Sequence, residues 1–399
     1  MIRCLAASPV RSFLLLCFAL WALQGCSNNP DTASETLGDP DLIEIEFREE
    51  FVIGDEGSSP AALLGQPAGI RTDSNGNIYV SDLQSPLVKV FDNQGEFLHT
   101  IGHEGGGPGE FRSTPVIEVS SRDELITLEG GNITRFAPSG ERISSYIPEI
   151  GDMIWPSGSN YFRQIADGRF IIANKMAFYG ENSTAEEEEI YANLLHLFDG
   201  ELEERLTSFA EHRSLIPEDE FLQIFHRDHP GRLWHNGEKE LWFTPTIYSG
   251  EIYRYMEEES GWVLSDTLRG RLYPEEPVIT GERASGLEDS YVVVTYVSGM
   301  TTHYGRTNSE SLGIFTLQDG RLVHFSNQFV DGERTIVLEL FDTEGLLAGL
   351  GHFDLIDAET MTRSSIGALI NPIWKDHEDR FYFSTAGELP VIRVGQFIF

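Results

Sequence analysis

One punctuation mark recurs five times along this chain and begins a sixth time without finishing. An apolar strand ends in an aromatic residue, a polar turn carrying Gly follows, and a second apolar strand begins. The mark reads VKVFDNQGEFLHTIG (88–102), ITRFAPSGERISSYI (133–147), LHLFDGELEERLTSF (195–209), IYRYMEEESGWVLSDTL (252–268) and VLELFDTEGLLAGLG (337–351). VIRVGQFIF (391–399) then supplies a matching first strand with no partner after it. Five hairpins and a half are what a ring of sheets needs when its last strand comes from the other end of the chain. LIEIEF (42–47) alternates apolar and acidic residues with the period of a strand, and 42–53 is the expected partner.

Upstream of each hairpin stands a second mark, a polar turn followed by a short, densely apolar strand. It reads DSNGNIYVSD (73–82), SRDELITLE (121–129), ADGRFIIAN (166–174), GEKELWFTP (237–245), QDGRLVHFS (318–326) and HEDRFYFST (377–385). Gly and Asn supply the positive φ of tight turns. Strands apolar on both faces, such as FII, LWF and FYF, belong to sheets covered on both sides. Each unit is thus four strands, and the spacings of 47 residues from Ile78 to Leu125 and 45 from Leu125 to Phe170 suit that content. The expected fold is all-β: a six-bladed β-propeller over 42–399, closed by its N-terminal strand. The alternative is seven blades, with a worn blade in 289–307.

The first unit resembles an NHL repeat. LGQPAGIRTDSNGNIYVSDLQSPLVKVFDNQGEFLHTIG (64–102) carries Pro-x-Gly-Ile, an Asp before the turn, the Ile-Tyr-Val-x-Asp strand, Val-Phe-Asp and Ile-Gly. GGPGEF (106–111) after it is similar to a connector of six-bladed bacterial propeller lipoproteins. The resemblance implies fold; it implies little about activity, since the fold hosts lyases, lactonases, receptors and RNA binders.

The first 25 residues read as a leader. Arg3 and Arg11 precede the apolar run 13–23, about half the roughly 20 residues needed to span a bilayer. LQGC (23–26) resembles the bacterial lipobox, which implies cleavage after Gly25 and acylation of Cys26. Residues 26–41, polar and rich in turn formers, are then a flexible tether. The three cysteines are Cys4, Cys17 and Cys26, so the remaining chain has neither disulfide nor thiolate site. The expected address is the cell envelope, by lipid anchor to the outer membrane of a Gram-negative bacterium.

With 64 acidic against 28 basic residues the chain carries −36, and loss of Arg3 and Arg11 with the leader takes it to −38. Nucleic acid, whose affinity comes from neutralised phosphates, is not an expected partner. The expected partner besides the membrane is a protein, peptide or glycan.

Elaboration falls on the loops between second and third strands and between blades, which emerge on one face of a propeller. Loops on a rigid scaffold are where function is placed, so this face is the candidate binding face. Its first candidates are His103, Glu104 and Glu110 of the Gly-rich connector HEGGGPGE, and Tyr304 and Arg306 of the insertion 270–310, which would face one way on a strand and engage a carboxylate or phosphate. The acidic run Glu186–Glu189 and the histidines of FHRDHPGRLWH (His226, His229, His235) are weaker metal candidates: consecutive carboxylates rarely converge, and the first two histidines are three apart rather than two. Asp82 could face the channel or cap its own loop. No base–nucleophile pair is visible. The leading expectation is a binding or assembly module. The alternative is an extracytoplasmic metal-dependent hydrolase or lyase of the lactonase kind, with Ca²⁺ in the central channel. That alternative needs acids, amides or imidazoles from several blades converging at one height.

Overall fold

The computed structural model describes residues 43–148, 161–165, 167–173, 192–215, 229–237, 239–259, 261–287, 291–296, 300–353, 373–385 and 389–399, with 219, 221, 222, 225 and 226. The leader, Cys26 and the acidic loop containing Glu186–Glu189 lie outside these residues. Among the described residues no helix is long and apolar enough to cross a membrane.

Six four-stranded antiparallel sheets form the six blades. Blades 1 to 5 each use consecutive strands, within 67–101, 116–146, 162–211, 231–269 and 309–352. Blade 6 takes three strands from 373–398 and its outermost from Glu46–Ile53, which pairs antiparallel with Val391–Ile398 from Glu46↔Ile398 to Ile53↔Ile392. The N-terminal strand therefore closes the ring, and the edge it covers is removed as a site of aggregation.

The closing strand starts later than the alternation suggested. Ile43 leaves blade 6 and donates its N–H to Leu350 O on the outer strand of blade 5, 2.8 Å away. Gly351 makes room for this crossing: a Cβ there would fall 1.7 Å from Ile45 Cδ1. Phe47, Phe353, Phe383 and Phe397 pack together beside it, edge to face or tilted, with ring centroids 4.9 to 6.0 Å apart.

The core is six apolar clusters, one at each interface between neighbouring blades. This is why the second strands are apolar on both faces. Ile171, Phe243 and Tyr382 are each fully buried. In blades 1 and 5 the turn between third and fourth strands uses one device, in which Asp92 and Asp342 each accept from two turn N–H groups within four residues.

The seven-bladed alternative is corrected. Residues 278–307 form a separate three-stranded sheet with Met300–Thr307 in the middle, between Val278–Thr280 and Tyr291–Tyr296. The chain passes from it into the first strand of blade 5, Ser309–Thr316. The insertion is tied to that blade by Tyr273 N–H donating to Gln328 Oε1 (2.9 Å) and Gln328 Nε2 donating to Arg271 O (2.9 Å).

Candidate functional site

The first turn of every blade is closed by the same backbone hydrogen bond. Asp73 donates to Asn77 O, Ser120 to Glu124, Ile165 to Arg169, Asn236 to Glu240, Leu317 to Arg321 and Asp376 to Arg380. One shared bond sets one register, and two residues before it each blade places a side chain at a common level of its innermost strand. These are Arg71, Glu118, Arg163, Trp234, Phe315 and Trp374.

They form a ring. Arg71 Nε lies 2.7 Å from Glu118 Oε2, and Arg163 Nη1 lies 3.2 Å from the same oxygen. The Arg163 guanidinium sits 5.6 Å from the Trp234 ring centroid, Trp234 and Phe315 centroids are 5.0 Å apart, and the Arg71 guanidinium is 4.6 Å from Trp374. Arg163 over Trp374 (4.4 Å) and Trp234 against Trp374 (5.6 Å) span the ring and fill it. Each indole is locked by a threonine of the next blade: Trp234 Nε1 donates to Thr316 Oγ1 (2.8 Å) and Trp374 Nε1 to Thr72 Oγ1 (3.0 Å).

Two buried guanidiniums share one carboxylate, so the charge balance is tight. Burial holds the Arg71 guanidinium below its ordinary pKa against the pull of Glu118. Burial, then the like charge of Arg71, pushes Arg163 down to about 9, again against Glu118. Aromatic faces supply part of the missing counter-charge.

This arrangement does not suit the calcium ion that the enzyme reading asked for. Ca²⁺ takes six to eight oxygen ligands, whereas the ring offers one carboxylate already held between two cations. Among the described residues no group of three or more His, Cys, Asp or Glu is placed to hold a metal. His226 is a satisfied core histidine: Nδ1 donates to Leu222 O (3.0 Å) and Nε2 accepts from Ile247 N–H (3.4 Å). Asp82 caps loop backbone, accepting from Gln84 N–H in its own turn and from Gly65 and Gln66 N–H just before the first strand of blade 1, at 2.6 to 2.9 Å.

The predicted site residues fall in two places. His103, Glu104 and Glu110 lie in the connector between blades 1 and 2, where His103 Nε2 is 3.0 Å from Glu110 Oε1 and Gly107 N–H donates to Glu110 Oε2 (2.7 Å). The Gly107 N–H, then His103, hold the Glu110 carboxyl below the usual range. Glu104 is exposed and bridges to Phe111. Tyr304 and Arg306 lie on the middle strand of the insertion, where they meet different neighbours. Tyr304 lines a cavity of about 390 Å³ with His303, Asp219, Phe221 and Thr280, whereas Arg306 stacks on Phe329 at 4.6 Å. Gly305 between them lets the strand meet Phe221, since a Cβ there would lie 2.2 Å from that ring.

Two features went unseen in the sequence. One is a hydrogen-bonded chain across blade 5: Ser311 Oγ is 2.9 Å from His324 Nε2, and His324 Nδ1 is 2.6 Å from Glu339 Oε2, which also accepts from Tyr248 OH at 2.9 Å. It has the connectivity of a nucleophile, a base and an orienting acid. All four residues are fully buried, and the network ties blade 4 to blade 5. The other is a cavity of about 750 Å³ at the channel mouth on the short-turn face, walled by the first turns of blades 1, 2, 4, 5 and 6 and floored by Trp234, Trp374 and Lys375. The signal for it was a Trp just before the first turn in RLWHN (232–236) and PIWKD (372–376).

The geometry agrees with the comparisons. Residues 61–132 match the family model of DUF5128, described as a 6-bladed beta-propeller. No curated protein matches the sequence. A member of the DUF4221 family from Bacteroides vulgatus is similar in structure with a TM-score of 0.52 at 10% identity, covering 90% of this chain and 99% of its own. A protein described as exported, from Bacteroides fragilis, is similar with a TM-score of 0.51 at 11% identity, covering 88% of this chain and 94% of its own. At such identities the likeness is one of fold alone.

Proposed function

We propose that this chain is a binding or assembly module of the cell envelope, anchored to the outer membrane by lipid at Cys26 and presenting its elaborated loop face to a protein, peptide or glycan. The observation that carries this reading is the filled channel. A metal-dependent hydrolase of this fold needs convergent oxygen or imidazole ligands at the axis, and the axis here holds an Arg–Glu–Arg arc packed on aromatic rings. The insertion cavity, with His303 and Tyr304 at its wall, supports a ligand contact on the loop face. The leader with its Gly-Cys junction supports the address, and the net charge of −36 supports a partner other than nucleic acid.

The test is capture from envelope extract by the intact protein and by single alanine variants at His103, Glu104, Glu110, Tyr304 and Arg306. Loss of one captured partner with Tyr304→Ala, with unchanged thermal unfolding, is the expected result. Capture unaffected by all five variants would move the site elsewhere. Cys26→Ala tests the anchor: a variant still processed and still fractionating with membranes would refute it.

A further inference from the structure

The channel carries a second level of side chains, one step from the ring toward the loop face. These residues stand two before the ring positions on the same strands and so point the same way. In blades 3 and 4 the level is Tyr161 and Arg232, and in blade 5 it is Gly313, where a Cβ would lie 2.8 Å from the Phe315 ring. A cavity of about 10 Å³ opens here, lined by Arg163, Arg232, Leu312, Gly313, Phe315 and Ile373. Its walls thus come from blades 3, 4, 5 and 6.

Two guanidiniums line this cavity with most of their donors unspent. Arg232 is 4% exposed and Arg163 5%. Arg232 Nε donates to Leu312 O (3.1 Å), at the bulge in the first strand of blade 5, and Nη1 donates to Tyr161 OH (3.3 Å). The Tyr161 ring centroid is 5.7 Å from the same guanidinium, so the partners of Arg232 among the described residues are all neutral. Arg163 makes one hydrogen bond among the described residues, from Nη1 to Glu118, and its buried Nε–H has no acceptor. A guanidinium offers five N–H donors, and neither of these two comes near that number.

Charge points the same way. Arg71, Arg163 and Arg232 bring three positive charges into the channel, and Glu118 brings one negative. Glu118 sits closer to Arg71 (2.7 Å) than to Arg163 (3.2 Å), and Arg232 has no acid among its described partners. The aromatic faces over Arg163 and Arg232 offset only part of that surplus. A water molecule in the cavity would accept hydrogen bonds and cancel neither charge.

We propose that this cavity binds one chloride ion between the Arg163 and Arg232 guanidiniums. Size selects the ion: about 10 Å³ is the space of one small sphere, enough for a single-atom anion and too little for a carboxylate or a phosphate. Chloride accepts from donors on every side, so it can take the Arg163 Nε–H and the spare Arg232 N–H groups together. Bound there, it joins the innermost strands of blades 3 and 4 by charge. The site does not depend on the loop-face partner proposed above.

The full-length protein is unfolded thermally at fixed ionic strength while sodium gluconate is exchanged for sodium chloride, which separates binding from the screening of a large net charge. Between about 1 and 150 mM chloride Tm should rise by about 3 °C, and bromide should act alike. Arg232→Met should lose most of that rise. Because Arg232 also packs on Tyr161, a crystal of the wild-type protein grown in bromide gives a second reading, with an anomalous peak expected between Arg163 and Arg232. An equal Tm in gluconate and chloride would overturn the proposal, as would a rise with acetate but not chloride. A full rise retained by Arg232→Met, or a bromide peak elsewhere with none in the channel, would overturn it too.

Discussion

The ring across the channel is charged through blades 1 to 3 and aromatic through blades 4 to 6. Both halves stand at one register of the same innermost strands, so the backbone asks the same thing of each: fill the axis. Blades 1 to 3 do so with Arg71, Glu118 and Arg163, whose side chains are 1 to 6% exposed. This half works only while both guanidiniums keep Glu118 between them, because an unpaired buried charge costs several kcal/mol. Blades 4 to 6 do it with Trp234, Phe315 and Trp374, which need shape and a partner for each indole N–H. The charged half is brittle to loss of its single acid; the aromatic half degrades in proportion to the area removed.

The largest effect should come from breaking the closure of the aromatic half. Deleting residues 46–53 uncovers blade 6 and its Phe cluster, and the expected outcome is aggregation on expression rather than local fraying, read by size-exclusion chromatography. A monomeric, folded deletion variant would show that the aromatic half does not depend on the N-terminal strand.

Next is Glu118→Gln, which leaves two guanidiniums facing each other without an acid. A loss of about 3–5 kcal/mol in denaturant unfolding is expected. Adding Arg163→Met to it should recover part of that loss, a coupling that a double-mutant cycle measures directly. Trp234→Ala in the other half should cost about 2–3 kcal/mol, less than a fully buried Trp would because the ring is half-buried. If Glu118→Gln proves milder than Trp234→Ala, the contrast between the halves fails.

Smaller effects sharpen the comparison. Thr316→Val removes one acceptor from Trp234 Nε1 and should cost about 1 kcal/mol. Arg163→Met alone should fall within about 1 kcal/mol of wild type, since Arg71 keeps Glu118 paired and an unbranched apolar chain can lie on Trp374. A loss of 3 kcal/mol or more there would mean that both guanidiniums are required.

Much of the fold was legible because its signals are local. An Asp or Gly in a tight turn, and strands apolar on both faces, report their own backbone geometry and neighbours without reference to distant residues. Blade number, strand order and the half-finished last sheet followed from repetition of those signals. The insertion was harder to read, since YVVVTY (291–296) looks like any buried strand and its place outside the ring depends on what Met300–Thr307 pairs with. Tyr304 and Arg306 alternate along that strand, yet Phe329 from blade 5 takes the guanidinium, a contact no spacing rule supplies.

What the sequence by itself determined is the number and order of blades and the need for closure, since these rest on turn chemistry and two-residue alternation within a few residues. What occupies the axis was decided only in three dimensions. The six ring positions share no residue type, so they leave no repeat to detect, and they span the chain from Arg71 to Trp374. They meet because each first turn closes with the same hydrogen bond, which brings one side chain per blade to a common height. The meaning of Glu118 then depends on two guanidiniums supplied by other blades.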